Sequence, residues 1–198
     1  MMITNLKSFS RAAIAAVLVA FMVSAASAAP INYGDFSDIP PGSVMYLDVT
    51  ETANSAGDEA PLFGEPAIHA NKLDFDPAGF NAAAQDNLTD ITDGQLNTTL
   101  MSEIGITGIS ISERGDWSVS GGDPARVRFV LSFIPTVLEI DGVALATPQP
   151  LPGAIRSGAG DNSNGAVDAL WSLGLRYDVN AALAQAGIDG NATKLEIV

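Results

Sequence analysis

Cysteine is absent from this 198-residue chain, histidine occurs once, and aromatic residues make up only 7% of it. The lack of cysteine excludes disulfides, thiol nucleophiles, thiolate zinc sites and iron–sulfur clusters. The single histidine, His69, excludes zinc sites that need two histidines and leaves any Ser-His-Asp triad dependent on one residue. The small aromatic content does not suggest a dedicated stacking surface for sugars.

Long hydrophobic runs are also missing, except for one near the N-terminus. Residues 12–23 form an apolar run of 12 residues, which follows the basic residues Lys7 and Arg11 and precedes the small-residue pattern Ala26-Ser27-Ala28. This arrangement is typical of a signal peptide. The run is too short for a spanning helix, which needs about 20 residues.

The sequence therefore predicts a signal peptide over residues 1–28, with cleavage between Ala28 and Ala29. The expected mature protein, residues 29–198, is a single domain without a transmembrane anchor. We expect it to be secreted, periplasmic or on the surface of a bacterial cell.

Basic residues are scarce as well. Residues 29–198 contain seven Lys and Arg against 23 Asp and Glu, a net charge of −16. Such a surface repels nucleic acid and anionic lipid, so neither is an expected partner. The acidity is compatible with a calcium site, and it also serves solubility alone.

Short segments of alternating polarity, separated by turn residues, dominate the rest of the chain. They predict an all-β fold, an antiparallel β-sandwich or jelly roll. The expected strands include 44–50, 67–75, 95–101 and 170–178, with a hairpin at Asp141-Gly142.

Other segments complete the expected fold. Residues 126–140 are predicted as a central strand buried on both faces and broken at Pro135, which cannot donate to a ladder. Gly115-Asp116 is predicted as a turn and 157–165 as a loop.

One short helix is expected near the C-terminus. Asn180 is the predicted cap, residues 181–186 favour helix, and Gly187 suits the position after it. Residues 193–198 are β-like again; we expect either an edge strand or a domain that lacks its last strand.

Oxygen-bearing side chains recur on short, bent segments, where they favour calcium over catalysis. The pattern does not match the helical calcium loop with its terminal Glu, and Asx turns account for the same residues without metal. The candidate ligands are Asp74, Asp76, Asp90, Asp93, Asp161 and Asn164.

The sequence gives weaker indications of a sugar-binding or catalytic site than of a calcium site. Trp117, beside the predicted turn, is the candidate aromatic platform for a sugar. Carboxylates near strands, such as Glu51 and Glu113, leave a glycoside hydrolase open, since spacing in three dimensions decides that chemistry. No G-x-S-x-G motif is present, and no residue is predicted to be catalytic.

Several motifs together resemble bacterial exported proteins associated with the PEP-CTERM/exosortase sorting system. They include Leu73-Asp74-Phe75-Asp76-Pro77, Asp90-Ile91-Thr92-Asp93-Gly94 and Trp171-Ser172-Leu173-Gly174-Leu175. The resemblance implies a secreted β-sandwich in a setting of exopolysaccharide and biofilm matrix. It implies no catalytic residues. The C-terminal sorting tag usual in such proteins is not found in residues 1–198, so surface sorting stays an open expectation.

The expected function is that of a non-enzymatic matrix or surface protein that packs into or binds extracellular polysaccharide. A calcium-assisted carbohydrate-binding module is the alternative. A polysaccharide-active hydrolase or lyase is the third reading, and it is disfavoured by the missing catalytic motifs.

Overall fold

A computed structural model describes most of the chain after the predicted signal peptide, namely residues 29–38, 44–55, 58–77, 79–85, 88–119, 125–163, 165 and 167–198. Ala29 is exposed at the start of the first range. The predicted signal peptide with Ala28, and the candidate ligand Asn164, lie outside these residues.

The described residues form twelve strands and one helix, which confirms the predicted all-β, sandwich-like class. The strands are β1 (Ile31–Ser37), β2 (Met45–Ala53), β3 (Ala67–His69), β4 (Lys72–Asp74), β5 (Gly94–Met101), β6 (Gly108–Val119), β7 (Arg126–Phe133), β8 (Pro135–Ile140), β9 (Val143–Pro150), β10 (Ala154–Asp161), β11 (Val167–Asp178) and β12 (Ala192–Ile197), and the helix is α1 (Val179–Gln185).

Six strands form the largest sheet, in the order β1-β2-β5-β12-β8-β9, with every neighbouring pair antiparallel. The last strand, β12, lies between β5 and β8, so it is central and the expectation of an edge strand is wrong. Its Leu195 is fully buried beside Leu100 and Val137, in a core that α1 covers through Val179 and Leu183. Burial of these side chains is the main force that holds the sheet and helix together.

Two further pairs of long strands form separate two-stranded ribbons. The β6–β11 ribbon has an unbroken register of twelve residue pairs, from Gly108 opposite Asp178 to Val119 opposite Val167. The β7–β10 ribbon pairs eight residues, and β10 lies beside β11. Leu131 and Phe133 from one ribbon pack with Leu175 from the other in a second core.

Three half-buried side chains connect the two cores. Ile109, Tyr177 and Ile197 contact both clusters, so the ribbons and the six-stranded sheet share one continuous interior. Along β11 the inward side chains are Trp171, Leu173, Leu175 and Tyr177, as the alternation predicts. The residues between them face solvent.

Several predicted boundaries are wrong, each for a local reason. Residues 67–75 are not one strand but the hairpin β3–β4, because the chain turns at Ala70 with a φ of 53°. The predicted turn at Gly115-Asp116 is an uninterrupted part of β6, and the predicted loop 157–165 is largely β10.

The apolar segment 126–140 breaks before Pro135 as predicted, but it is not buried on both faces. β7 alternates, and Val130 and Ile134 are each 53% exposed. The hairpin at Asp141-Gly142 is confirmed, since both residues take positive φ values between β8 and β9.

The helix also lies where the sequence predicts it, but with a different cap. Asp178 caps α1 by accepting a hydrogen bond from the backbone N–H of Ala181, at 2.9 Å, in place of the predicted Asn180. Gly187 follows the helix with a φ of 70°, as expected for that position.

Candidate functional site

Positive charge is concentrated on the two ribbons. Residues 29–198 contain five arginines, and all five lie on β6, β7, β10 or β11. These four strands carry five carboxylates as well and are neutral overall, whereas the remaining part of residues 29–198 holds two lysines and 18 carboxylates. The ribbons are therefore the region of the molecule where an anion meets least repulsion.

The solvent-facing side of the β6–β11 ribbon is polar and contains small residues. Because side chains alternate along a strand, every second residue of β6 and β11 points to this side. Its middle section is made of exposed serine, glycine and arginine residues, and we call it the serine–arginine face: Ser110, Ser112, Arg114, Ser172, Gly174 and Arg176.

A shallow groove of about 510 Å³, open to solvent, lies at one end of this face. Arg176 and Ser110, which are opposite each other across the two strands, line it together with Ser112 and Gly174. Arg156, from the neighbouring strand β10, also lines this groove. The backbone register of one ribbon and the packing of the other thus bring two arginines to one cavity.

Gly174 leaves the groove open. A Cβ built on Gly174 meets no atom within 4 Å, so empty space lies directly above this position. The residue sits in an extended strand, where glycine is otherwise unfavourable because it packs nothing and costs backbone entropy. The absence of a side chain here serves the shape of the groove, and the fold would accept a larger residue.

The arginines of the groove are not paired with carboxylates. Across the described ranges, Lys72 and Asp74 form the one ion pair within 4.0 Å, with Nζ and Oδ1 2.7 Å apart. Arg156 and Arg176 are exposed and keep their hydrogen-bond donors available. Guanidinium groups donate in a fixed planar fork that fits carboxylate, sulfate or phosphate oxygens.

The residues that line the groove offer hydrogen-bond donors and acceptors to a ligand. Its seven lining residues include no carboxylate and no histidine, which are the usual general acids and bases. Serine hydroxyls donate and accept hydrogen bonds, and Ile111 and the buried Leu175 complete the lining.

The candidate calcium ligands lie in separate parts of the fold. Asp74 ends β4, where the hydrogen bond and positive charge of Lys72 lower the pKa of its carboxyl group. Asp76 is exposed just after it. Asp161 ends β10 on the other ribbon and bonds Ser163, which lowers the pKa of the Asp161 carboxyl group.

The remaining pair, Asp90 and Asp93, lies in the segment before β5. Asp90 accepts hydrogen bonds from the backbone N–H groups of Ala83 and Ile91, at 2.8 and 3.0 Å, so its carboxylate is already engaged within this segment. Among the residues with described positions, no three acidic or histidine side chains come together as a metal site would require. Calcium binding stays a prediction, and these residues do not form one centre.

Trp117 points inward. It is half-buried on the inner side of β6, with its indole against the backbone of Gly160 on β10. Trp171, its neighbour on the same side of the ribbon, stacks on Phe129 with ring centroids 4.3 Å apart and planes 13° from parallel. Both indoles thus fill the space between the ribbons. Trp117 therefore does not present the exposed aromatic surface that its predicted sugar-binding role requires.

The carboxylate of Glu51 has a structural task. Its side chain is completely buried and accepts hydrogen bonds from the Tyr33 hydroxyl at 2.6 Å, from the Leu62 backbone N–H and from the Gly64 backbone N–H at 3.2 Å. Burial, the hydrogen bond from the Tyr33 hydroxyl to Glu51 and the negative charge of Glu51 raise the pKa of Tyr33. Glu51 ties the 61–64 segment to the sheet and is not open to a substrate.

Sequence reasoning missed the serine–arginine face. The alternation of Ser110 and Ser112 with Ile109 and Ile111 carries half of the signal, because it places the serines outward. The contribution of Arg156 could not be read, since it depends on how two ribbons distant in sequence pack together.

Comparison with protein-family models, with curated proteins and with solved structures finds no match for this chain. Nor does the described part of the fold contain a helix long and apolar enough to cross a membrane. The serine–arginine face and its groove are therefore the features of this molecule that bear on its function.

Proposed function

We propose that this protein is a secreted, non-enzymatic component of a bacterial extracellular matrix or cell surface, and that it binds exopolysaccharide along the serine–arginine face. The proposal includes export by the signal peptide and kinship with proteins of the PEP-CTERM/exosortase sorting system. The observation that carries it is the open groove, lined by hydroxyl and guanidinium donors and free of catalytic acids or bases.

The form of the surface supports a polymeric ligand. β6 and β11 present a continuous strand face on which Arg114 lies four residues beyond Ser110, about 13 Å along the strand. Small side chains occupy the positions between them, so an extended chain has room to lie along the ribbon. Hydrogen bonds from serines and arginines then replace those that the sugar makes with water.

Affinity electrophoresis of residues 29–198 through gels that contain individual polysaccharides tests the proposal. We expect retardation by at least one polysaccharide and no release of reducing ends from it. Retardation that disappears with a calcium chelator would favour the calcium-assisted module instead. Failure of every polysaccharide to retard the protein, or turnover of one of them, would overturn the proposed function.

A further inference from the structure

We propose that the groove recognises the carboxylate groups of an acidic, uronate-containing polysaccharide, with Arg156 and Arg176 as the two recognition residues. This inference rests on the proposed function and narrows it to one class of ligand. It starts from two arginines, from different ribbons, that line one groove.

Arg156 and Arg176 have hydrogen-bond donors available for a ligand. Each guanidinium has five N–H donors and stays charged at any physiological pH. No carboxylate of the described chain lies within ion-pair distance of Arg156 or Arg176, although the protein is rich in carboxylates. A ligand carboxylate can therefore form the fork-shaped, charge-assisted pair without first displacing an internal partner.

The charge of the ribbons differs from that of the rest of the molecule. Outside the ribbons, residues 29–198 carry 18 carboxylates and two lysines, so an acidic polymer is repelled by most of the surface. The arginines of the ribbons offer the exception. Repulsion elsewhere confines an acidic chain to the serine–arginine face and thereby contributes specificity for the site.

The spacing of the arginines along the β6–β11 ribbon suits a ligand with repeating charges. Arg114 faces the same side as Arg176, and the opposed pair Ser112 and Gly174 lies between them. Two positive charges are thus spaced along the middle of the ribbon with the neutral Ser112 and Gly174 between them, and the carboxylates of Asp116 and Asp178 face the same side beyond them. A polymer with carboxylates at intervals and hydroxyls between them has the complementary pattern.

Binding is measured by affinity electrophoresis and by biolayer interferometry at low ionic strength, with polygalacturonate as the carboxylated probe. Dextran is the neutral probe and dextran sulfate the sulfated one. We expect the wild-type protein to bind polygalacturonate more tightly than either of the others. Added salt should weaken the interaction, because exposed charges are screened.

Variants test the assigned residues. The double change Arg156→Gln and Arg176→Gln should weaken binding to polygalacturonate about tenfold or more, since two charge-assisted contacts are lost. Arg128→Gln is the matched control, because it removes the same charge from the outward side of β7, away from the groove. We expect Arg128→Gln to change the affinity by less than about twofold.

A second test does not alter charge. Gly174→Val fills the space above the groove floor and suits a strand position, so the protein should fold with an unchanged or higher Tm. It should nonetheless lose affinity for polygalacturonate about as strongly as the double arginine variant. A Gly174→Val protein that is folded and binds normally would overturn the assignment of the groove.

The outcomes separate the inference from the proposed function. Binding of neutral dextran, insensitive to these variants, would overturn the inference and leave the proposed function standing. Equal or tighter binding of dextran sulfate would overturn the assignment of carboxylate as the recognised group. Absence of binding to every polysaccharide would overturn both.

Discussion

The indole of Trp117 lies so close to Gly160 that a Cβ on Gly160 would be 2.3 Å from Cζ2 of Trp117. Trp117 belongs to β6 and Gly160 to β10, so this contact joins the two ribbons. A similar relationship exists within one ribbon, where a Cβ on Gly115 would be 2.7 Å from Nε1 of Trp171. Glycine at both positions allows a strand backbone to pack directly against an indole ring.

Gly160→Ala should therefore destabilise the protein, because the indole of Trp117 must shift to admit a methyl group. Overpacking of this kind costs about 1–3 kcal/mol in the free energy of unfolding. Urea denaturation measures the loss, and a red shift of tryptophan emission reports the displaced indole. Gly174→Ala is the matched control, since its Cβ meets open space; equal stability of the two variants would contradict the packing argument.

Removal of the Glu51 carboxylate should cost more than removal of its tyrosine partner. Glu51→Ala leaves the buried N–H of Leu62 without an acceptor and loses two further hydrogen bonds, an expected loss of about 3 kcal/mol or more in the free energy of unfolding. Tyr33→Phe removes one bond to the charged group, a loss of about 1.5–3 kcal/mol. Chemical denaturation of both variants checks the order; a Glu51→Ala protein as stable as Tyr33→Phe would argue against the three-donor arrangement.

Glu113 should give the protein a pH-dependent stability. Its side chain lies on the inner side of β6, and burial raises the pKa of its carboxyl group above the ordinary value of 4.5. The folded state therefore holds the proton more tightly than the unfolded state, and stability falls as the pH rises from about 4.5 through the raised pKa.

Glu113→Gln abolishes this penalty, because the amide is uncharged at every pH. We expect the variant to have a higher Tm than the wild type at pH 7 and a nearly equal Tm below pH 4.5. Thermal unfolding at both pH values measures the difference. The prediction is contradicted if the Tm of the variant at pH 7 is equal to or lower than that of the wild type.

The central place of β12 makes Leu195 one of the most costly positions to truncate. Leu195 is fully buried between β5 and β8, so Leu195→Ala should lower the free energy of unfolding by about 2–5 kcal/mol. Leu170→Ala removes the same atoms from a side chain that is 86% exposed, and it should change stability by no more than about 0.5 kcal/mol. Urea midpoints of the two variants provide the comparison, and similar midpoints would place Leu195 outside the core.

Local alternation was enough to predict the class of fold and much of its inner surface. Trp171 and Tyr177 face inward as expected, because side-chain direction in a strand depends only on position along it. Glycine misled the sequence reading: Gly115 and Gly160 were assigned to a turn and a loop, but they lie in strands beneath indole rings. Such a role depends on a partner distant in sequence, which a local pattern does not contain.

The candidate site shows the same limit. Ser110 and Ser112 can be placed outward from their alternation with isoleucines, but their pairing with Arg176 and Gly174 requires the register of β6 against β11. The position of Arg156 requires, in addition, the packing of one ribbon on the other. The composition and alternation therefore predict an acidic β protein. They do not predict that Arg156 and Arg176 line one groove, because that depends on tertiary structure.

The position of β12 also has a consequence for the order of folding. On one side of it the sheet consists of β1, β2 and β5, and on the other of β8 and β9, so residues 192–197 are the link between the two parts. The pairing of β12 with β5 brings together residues that are far apart in the sequence, such as Leu195 and Leu100. Contacts of high sequence separation are slow to form, so the two parts of the sheet become joined only late in folding.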